Sequence, residues 1–253
     1  MIPTGASIWV ESQTGGVGRT VIAANLAFEL AANGRRVCLI DLDERFPALH
    51  EYFALPQRQA AVLAALRFLS QDRLDDAKLG ELTARLVSKG AALDYLSGFG
   101  LADNEIAFDQ LEKLLEALCE RYDFVVVDTS AEASEPLCEI GRKTASRRLF
   151  VVPAETVGLA RLASVATDLE AGSLGQLEIV LNRANIGSAG GRSASQLHKA
   201  VRDFTSIPVA AVIPSDQLFD EAAARGMPLR QAGQKSKALA AIGDLAERLA
   251  TTL

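Results

Sequence analysis

The chain has 253 residues, with 26 Lys and Arg against 32 Asp and Glu, so its formal net charge at pH 7 is −6. A nucleic-acid surface gains affinity from clustered Lys and Arg that displace counterions, so this acidic balance argues against a general nucleic-acid binder. Hydrophobic residues make up 49% of the sequence and charged residues 23%, which excludes a disordered chain. The sequence predicts a globular protein that forms a single domain over residues 1–253.

The cysteines and the apolar segments indicate the compartment. Cys38, Cys119 and Cys138 are scattered without a CxxC spacing, which favours reduced thiols over a disulfide or a zinc site. No segment reaches the roughly 18 uninterrupted apolar residues of a membrane span, and no basic region precedes a hydrophobic one at the N-terminus. A cytoplasmic location is therefore expected.

Short runs rich in Val, Ile and Leu alternate with stretches of helical length along the chain. Continuous apolar runs indicate strands covered on both faces, as in parallel sheets with crossover helices. We expect helices at residues 20–33, 108–121 and 238–253, and a helical region over residues 57–89. Strands are expected at residues 6–11, 36–41, 91–96, 123–128, 148–153, 177–182 and 208–213. The predicted fold class is α/β, a three-layer, mostly parallel β-sheet flanked by helices.

The turn between the first strand and the first helix, residues 13–20, reads QTGGVGRT. Compared with the P-loop pattern G-x-x-x-x-G-K-[ST], it keeps Gly18 and Thr20 but has Gln13 for the first glycine and Arg19 for the lysine. Three glycines follow a strand and open a helix, where backbone N–H groups can converge on a polyphosphate. A phosphate-binding loop is therefore predicted, and a glycine-rich turn without a ligand is the alternative.

Several motifs in the same order resemble the MinD/ParA family of deviant Walker A P-loop ATPases. GGVGRT precedes a helix and then a strand that ends in Asp41-Leu42-Asp43, as in that family. YDFVVVDTSAE at residues 122–132 is similar to its Walker B segment. VLNRA at 180–184, IPSD at 213–216 and AAARGMPLRQ at 222–231 are similar to its C-terminal half. The atypical loop resembles most the pilus-assembly branch, the TadZ/CpaE proteins.

The resemblance implies ATP and Mg²⁺ as ligands and assigns roles to particular residues. Asp43 takes the position of the residue that orients the attacking water. Asn182 and Asp216 take positions that bind adenine. Mg²⁺ is assigned, partly through water, to Thr20, Asp41 and Asp128. The phosphates are assigned to Gly15, Gly16, Val17, Gly18, Arg19, Thr20 and Val21.

One assigned aspartate has an alternative role, because a carboxylate at the end of a strand can also cap the next helix. For Asp41, that capping role is an equal alternative to a place near the metal.

The loop departs from the family at its two lysines, and these departures bear on catalysis. The lysine that in this family reaches the partner's phosphate falls at Thr14, which carries no charge. Arg19 replaces the other lysine with a bulkier, forked donor. Losing one well-placed donor typically costs about 10²–10³ in rate. The sequence therefore predicts at most a weak ATPase.

The resemblance implies an ATP-binding homodimer that positions or assembles Flp/Tad pilus or secretion machinery. Its partners would be proteins of that machinery, which recruit it to the cell pole or to the inner face of the membrane. Two alternatives stay open: an active ParA/MinD-type ATPase for partitioning or division-site placement, and a nucleotide-free P-loop scaffold.

Two surface features bear on DNA and membrane binding. The amphipathic C-terminal stretch favours core packing over membrane insertion, because nothing basic follows Arg248. Two basic clusters are more typical of solvated helix ends than of a DNA surface. They comprise Arg142, Lys143, Arg147 and Arg148, and Arg225, Arg230, Lys235 and Lys237.

Overall fold

The computed structural model describes residues 4–55, 59–101, 108–131, 133–172, 176–186, 191–232 and 235–253. Its strands are β1 (Ala6–Glu11), β2 (Val37–Leu42), β3 (Ala84–Ser88), β4 (Ala91–Leu96), β5 (Phe124–Thr129), β6 (Arg147–Pro153), β7 (Leu177–Ala184) and β8 (Val209–Pro214). Its helices are α1 (Arg19–Ala32), α2 (Leu49–Tyr52), α3 (Ala61–Leu69), α4 (Asp76–Leu82), α5 (Phe108–Arg121), α6 (Glu135–Thr144), α7 (Thr156–Ala171), α8 (Ala194–Arg202), α9 (Leu218–Ala224), α10 (Leu229–Ala232) and α11 (Lys237–Thr252).

The strands form one eight-stranded sheet in the order β3-β4-β2-β5-β1-β6-β7-β8. Every pairing is parallel except that of β3 with β4. All residues of β2 and β5 are buried, as the continuous apolar runs require of strands covered on both faces. The mostly parallel α/β fold class is confirmed.

The helical region predicted over residues 57–89 is wrong at its C-terminal end. It contains α3 and α4, but it closes with β3, which pairs antiparallel with β4 across a turn at Gly90. The cross-strand partners explain the pairing, because Leu86 lies opposite the buried Leu93 and Arg85 forms an ion pair with Asp94 at 2.7 Å. Residues 57 and 58 lie outside the described ranges.

The apolar face predicted for the C-terminal stretch lies in the core. Ile242, Leu245 and Leu249 of α11 are buried in a cluster that includes α1, which confirms core packing for the C-terminal stretch. Val62 and Leu66 of α3 are buried on the opposite face of the sheet. Among the described helices, none is both long and apolar enough to cross a membrane.

Candidate functional site

The central strands bring the predicted site residues together at the carboxyl ends of β1, β2 and β5. Asp128 of β5 lies opposite Val10 of β1 on one side and Asp41 of β2 on the other. The loop after β1 leads into α1, and Asp43 directly follows β2. Ligands of open parallel sheets bind at this edge, so the topology favours a binding site here.

The glycines give the loop its shape. Gly16 and Gly18 adopt left-handed backbone conformations, with φ of +74° and +94°. A Cβ atom on Gly18 would overlap Nδ2 of Asn182, whereas one on Gly15 or Gly16 would meet nothing within 4 Å. The crest of the loop is therefore open, and its base is tightly packed.

The first turn of α1 lies directly beneath this crest. Within the described part of the chain no side chain caps that turn, and it contains no acidic residue. Its backbone N–H groups and the positive end of the helix dipole are therefore free to favour an anion.

Arg19 is a buried cation that lies among carboxylates. Its Nε donates to Oδ1 of Asp128 at 3.2 Å, and its Nη2 donates to Oδ2 of Asp43 at 3.2 Å. Nη1 donates to Oγ of Ser12 at 2.8 Å. Only 8% of the Arg19 surface is exposed, so the guanidinium is the internal counter-ion of two buried acids.

Asp41 and Asp43 are both engaged with the backbone after β2. Oδ1 of Asp41 accepts from the N–H of Asp43, and Oδ2 accepts from the N–H of Leu49, each at 3.1 Å. Leu49 is the first residue of α2, so the described contacts of Asp41 are those of a capping residue. Oδ1 of Asp43 accepts from the N–H groups of Arg45 and Phe46.

Burial dominates the electrostatics of the carboxyl pair on β2 and β5. Desolvation, followed by the neighbouring charge of Asp128, raises the pKa of Asp41 well above its usual range. Desolvation raises the pKa of Asp128 to about 6, although the charge of Arg19 and the hydroxyl of Thr20 both lower it. Protonation of Asp128 therefore becomes significant in mildly acidic solution.

A divalent ion fits the free side of Asp128. Oδ2 of Asp128 is fully buried and has no hydrogen-bond partner among the described residues. The Thr20 hydroxyl lies close enough to influence the same carboxylate, and Mg²⁺ prefers such oxygen donors. In the described ranges, no group of three or more His, Cys, Asp or Glu could hold a metal ion. Both oxygens of Asp41 are already occupied.

Asn182 and Asp216 lie on the far side of the loop, at the ends of β7 and β8. Nδ2 of Asn182 donates to the carbonyl of Val17 at 2.8 Å, so this side chain braces the loop. The carboxylate of Asp216 accepts from the N–H of Leu218 at 3.0 Å and from the hydroxyl of Ser236 at 2.6 Å. In this structure the two side chains contact the protein itself.

Three further polar contacts at the site were missed from the sequence. Ser12 binds Arg19, and its position directly after β1 was the available signal. Glu44 accepts from both the N–H and the hydroxyl of Ser134, which joins the segment after β2 to the start of α6. Arg148, assigned above to a basic cluster, forms a two-pronged buried ion pair with Glu11. Neither contact has a signal in local sequence spacing.

The fold and the loop together indicate the class of protein. A parallel sheet with a glycine-rich turn between β1 and α1, flanked by carboxylates from adjacent strand ends, is typical of nucleotide-binding α/β proteins. The sequence model of the CobQ/CobB/MinD/ParA nucleotide binding domain matches residues 8–229, so the chain belongs to this family.

Individual relatives are distant in sequence and similar in fold. The septum site-determining protein MinD of Synechocystis is 25% identical over 251 residues, which cover 96% of this chain and 88% of the relative. The structure of a ParA family ATPase from Chlorobium tepidum has a TM-score of 0.78 at 21% identity, covering 96% of this chain and 98% of that one. The structure of MinD from Pyrococcus horikoshii in complex with Mg-ADP has a TM-score of 0.72 at 22% identity, covering 97% of this chain and 96% of that one.

Proposed function

We propose that this protein binds ATP with Mg²⁺ at the loop between β1 and α1. The observation that carries the proposal is the open crest at Gly15 and Gly16 above an uncapped first turn of α1, in a domain of a nucleotide-binding family. An anion at this place would be met by backbone N–H groups and by the helix dipole. A relative of the same fold is described in complex with Mg-ADP, which supports this choice of ligand.

The proposed residue roles are those that the family resemblance implies. Residues 15–21 would surround the phosphates, and Thr20 with Oδ2 of Asp128 would hold the metal, which neutralises phosphate charge when bound. Asn182 and Asp216 would bind adenine, and each would have to exchange a present contact for one with the base. Asp43 would orient the attacking water. Asp41 would support the metal site indirectly, because its carboxylate accepts from the backbone N–H groups of Asp43 and Leu49.

Hydrolysis in this site is proposed to be slow. Thr14 supplies no charge at the position of the family's trans-acting lysine, and Arg19 replaces the other lysine with a bulkier, forked donor. Phosphoryl transfer depends on positioned cations, so each missing donor costs about 10²–10³ in rate. Family membership alone supports an actively cycling MinD/ParA-type ATPase equally well, and the loop residues are what favour slow turnover.

The finer proposal is a nucleotide-organised homodimer that positions pilus or secretion machinery through protein partners, as in the TadZ/CpaE branch. The loop departures at Thr14 and Arg19 support this branch. The basic clusters also contain several paired residues, because Arg142, Lys143, Arg148 and Arg230 each form an ion pair within the chain. Such pairing leaves less free positive charge for DNA.

Turnover measurements test the catalytic part of the proposal. Wild-type protein should hydrolyse ATP slowly, and Thr14→Lys combined with Arg19→Lys should raise turnover by at least about tenfold by restoring two donors. The matched control is Gln13→Lys combined with Arg19→Lys, which adds the same charge one residue earlier. Fast wild-type turnover, or an equal gain in the control, would contradict the proposed cause.

Thermal unfolding separates a nucleotide-binding protein from a scaffold. A ligand that binds only the native state raises the apparent stability by RT ln(1 + [L]/Kd), which is about 2.7 kcal/mol at 100 times Kd. We expect Mg-ATP to raise the melting temperature of the wild type. An unchanged melting temperature at millimolar Mg-ATP would favour the nucleotide-free scaffold.

A further inference from the structure

The guanidinium of Arg19 joins three separate segments of the site. Each of its three nitrogens donates to a different acceptor: Nε to Asp128, Nη1 to Ser12 and Nη2 to Asp43. These acceptors belong to β5 and to the segments that follow β1 and β2. A lysine has a single ammonium group at the end of a flexible stem, so it could not reproduce this three-way fork.

The contact with Arg19 completes the immobilisation of Asp43. Its Oδ2 binds Arg19 at 3.2 Å, while its Oδ1 accepts from the backbone N–H groups of Arg45 at 3.1 Å and Phe46 at 2.9 Å. Both partners of the ion pair are largely buried, with side-chain exposures of 9% and 10%. A carboxylate held on both oxygens is poorly placed to orient a water molecule.

A bound polyphosphate would compete for the same guanidinium. Guanidinium forks bind phosphate and carboxylate oxygens with the same geometry, and Arg19 is the first residue of the helix beneath the open crest. Three of its five N–H groups are used in the contacts above, which leaves one further N–H on each of Nη1 and Nη2. A polyphosphate that accepts from this pair would compete with Asp43 and Ser12 for the position of the guanidinium.

We propose that Arg19 is a positioning residue that acts through Asp43: it holds this carboxylate in the nucleotide-free protein and releases it when a polyphosphate binds. The inference rests on the proposed nucleotide function and adds a switch to it. The metal-binding side of Asp128, its Oδ2, is free of Arg19, so the switch concerns Asp43 first.

A thermodynamic cycle on nucleotide affinity tests the switch. If binding breaks the Arg19–Asp43 pair, then Asp43→Asn removes a competitor and tightens Mg-ATP binding about tenfold, the size of one charge-assisted hydrogen bond. In an Arg19→Met background the same substitution should change the affinity by less than about twofold. Calorimetric titration of the four proteins with Mg-ATP gives the cycle.

A control removes the trivial effect of lost negative charge. Glu44→Gln deletes a charge next to Asp43 from a carboxylate that binds Ser134 and not Arg19, so its effect on affinity should stay below about twofold. If Arg19→Met does not fold, Arg19→Lys serves as the background, and the gain from Asp43→Asn should fall below about threefold because the fork is lost.

The outcomes are distinct. The switch is supported if Asp43→Asn tightens Mg-ATP binding when Arg19 is present and not in the Arg19 variant. The switch is overturned, with nucleotide binding left intact, if Asp43→Asn tightens Mg-ATP binding equally with and without Arg19. It is overturned likewise if Asp43→Asn leaves the Mg-ATP affinity unchanged or weakens it. Absence of Mg-ATP binding by the wild type overturns the proposed function and this inference together.

Discussion

Replacing Arg19 with Met tests whether the guanidinium neutralises the buried acids of the site. The substitution keeps a long apolar stem and removes the only cation that contacts Asp43 and Asp128 in the described hydrogen-bond network. Removing one partner of a buried ion pair typically costs about 3–5 kcal/mol, because the remaining charge is left uncompensated. Domains of this kind have about 5–15 kcal/mol of stability in total, so the loss is large and measurable.

The pH dependence of this loss gives the sharper test. Desolvation has already raised the pKa of Asp128 to about 6, and removing the charge of Arg19 removes a cause that lowers it. In the variant, the folded state therefore binds a proton that the unfolded chain releases at its lower, ordinary pKa. The destabilisation should be greatest near pH 8 and should shrink as the pH falls towards 6, by up to about 1.4 kcal/mol per pH unit, and should then stay level because Asp128 of the wild type is protonated as well.

Urea unfolding followed by circular dichroism at pH 8, 6.5 and 5 measures both effects. Arg248→Met is the matched control, because it breaks a more exposed ion pair with Glu178 at the opposite end of the sheet. Its cost should be about 1 kcal/mol, without the same pH trend. A loss below about 1 kcal/mol for Arg19→Met, or an equal loss at all three pH values, would refute the assignment of Arg19 as the counter-ion.

Three further predictions concern the loop and the metal. Gly18→Ala should weaken Mg-ATP binding at least about tenfold in calorimetry, because a Cβ would displace Asn182. Gly16→Ala introduces only backbone strain of about 1–2 kcal/mol, so equal effects of the two substitutions on affinity would contradict the tight packing at Gly18. Asn182→Ala should lower stability by about 1 kcal/mol in urea unfolding through loss of the bond to Val17, and an unchanged midpoint would refute that bond. Mg²⁺ affinity in the presence of ADP should fall below pH 6 as Asp128 is protonated, by up to about tenfold per pH unit, and a flat profile from pH 7 to 5 would argue against Asp128 as a ligand.

The sheet was predictable because its strands carry a strong local signal. Buried parallel strands such as β2 and β5 are continuous Val, Ile and Leu runs, and their predicted bounds agree with the structure within a residue or two. The edge strand β3 carries no such signal, because an edge strand alternates buried and exposed residues over only five positions. Its pairing depends on Asp94 and Leu93 of β4, which local propensity does not capture.

The location of the site was predictable, but its internal contacts were not. The glycine pattern and the strand order bring the loop, Asp43 and Asp128 to one edge of the sheet. Sequence reasoning treated Arg19 as a phosphate ligand, and nothing in the spacing of residues indicates that it would pair with two acids 24 and 109 positions away. Such pairs depend on side-chain rotamers and on burial, which arise only when the strands assemble.

Calorimetric titration of the purified wild-type protein with Mg-ATP tests the central claim most directly. The account predicts saturable binding at one site per chain, at least tenfold weaker in Gly18→Ala, together with slow turnover in the same preparation. Absence of binding at millimolar Mg-ATP, or equal binding by Gly18→Ala, would contradict the claim that the loop of residues 13–20 is a nucleotide site.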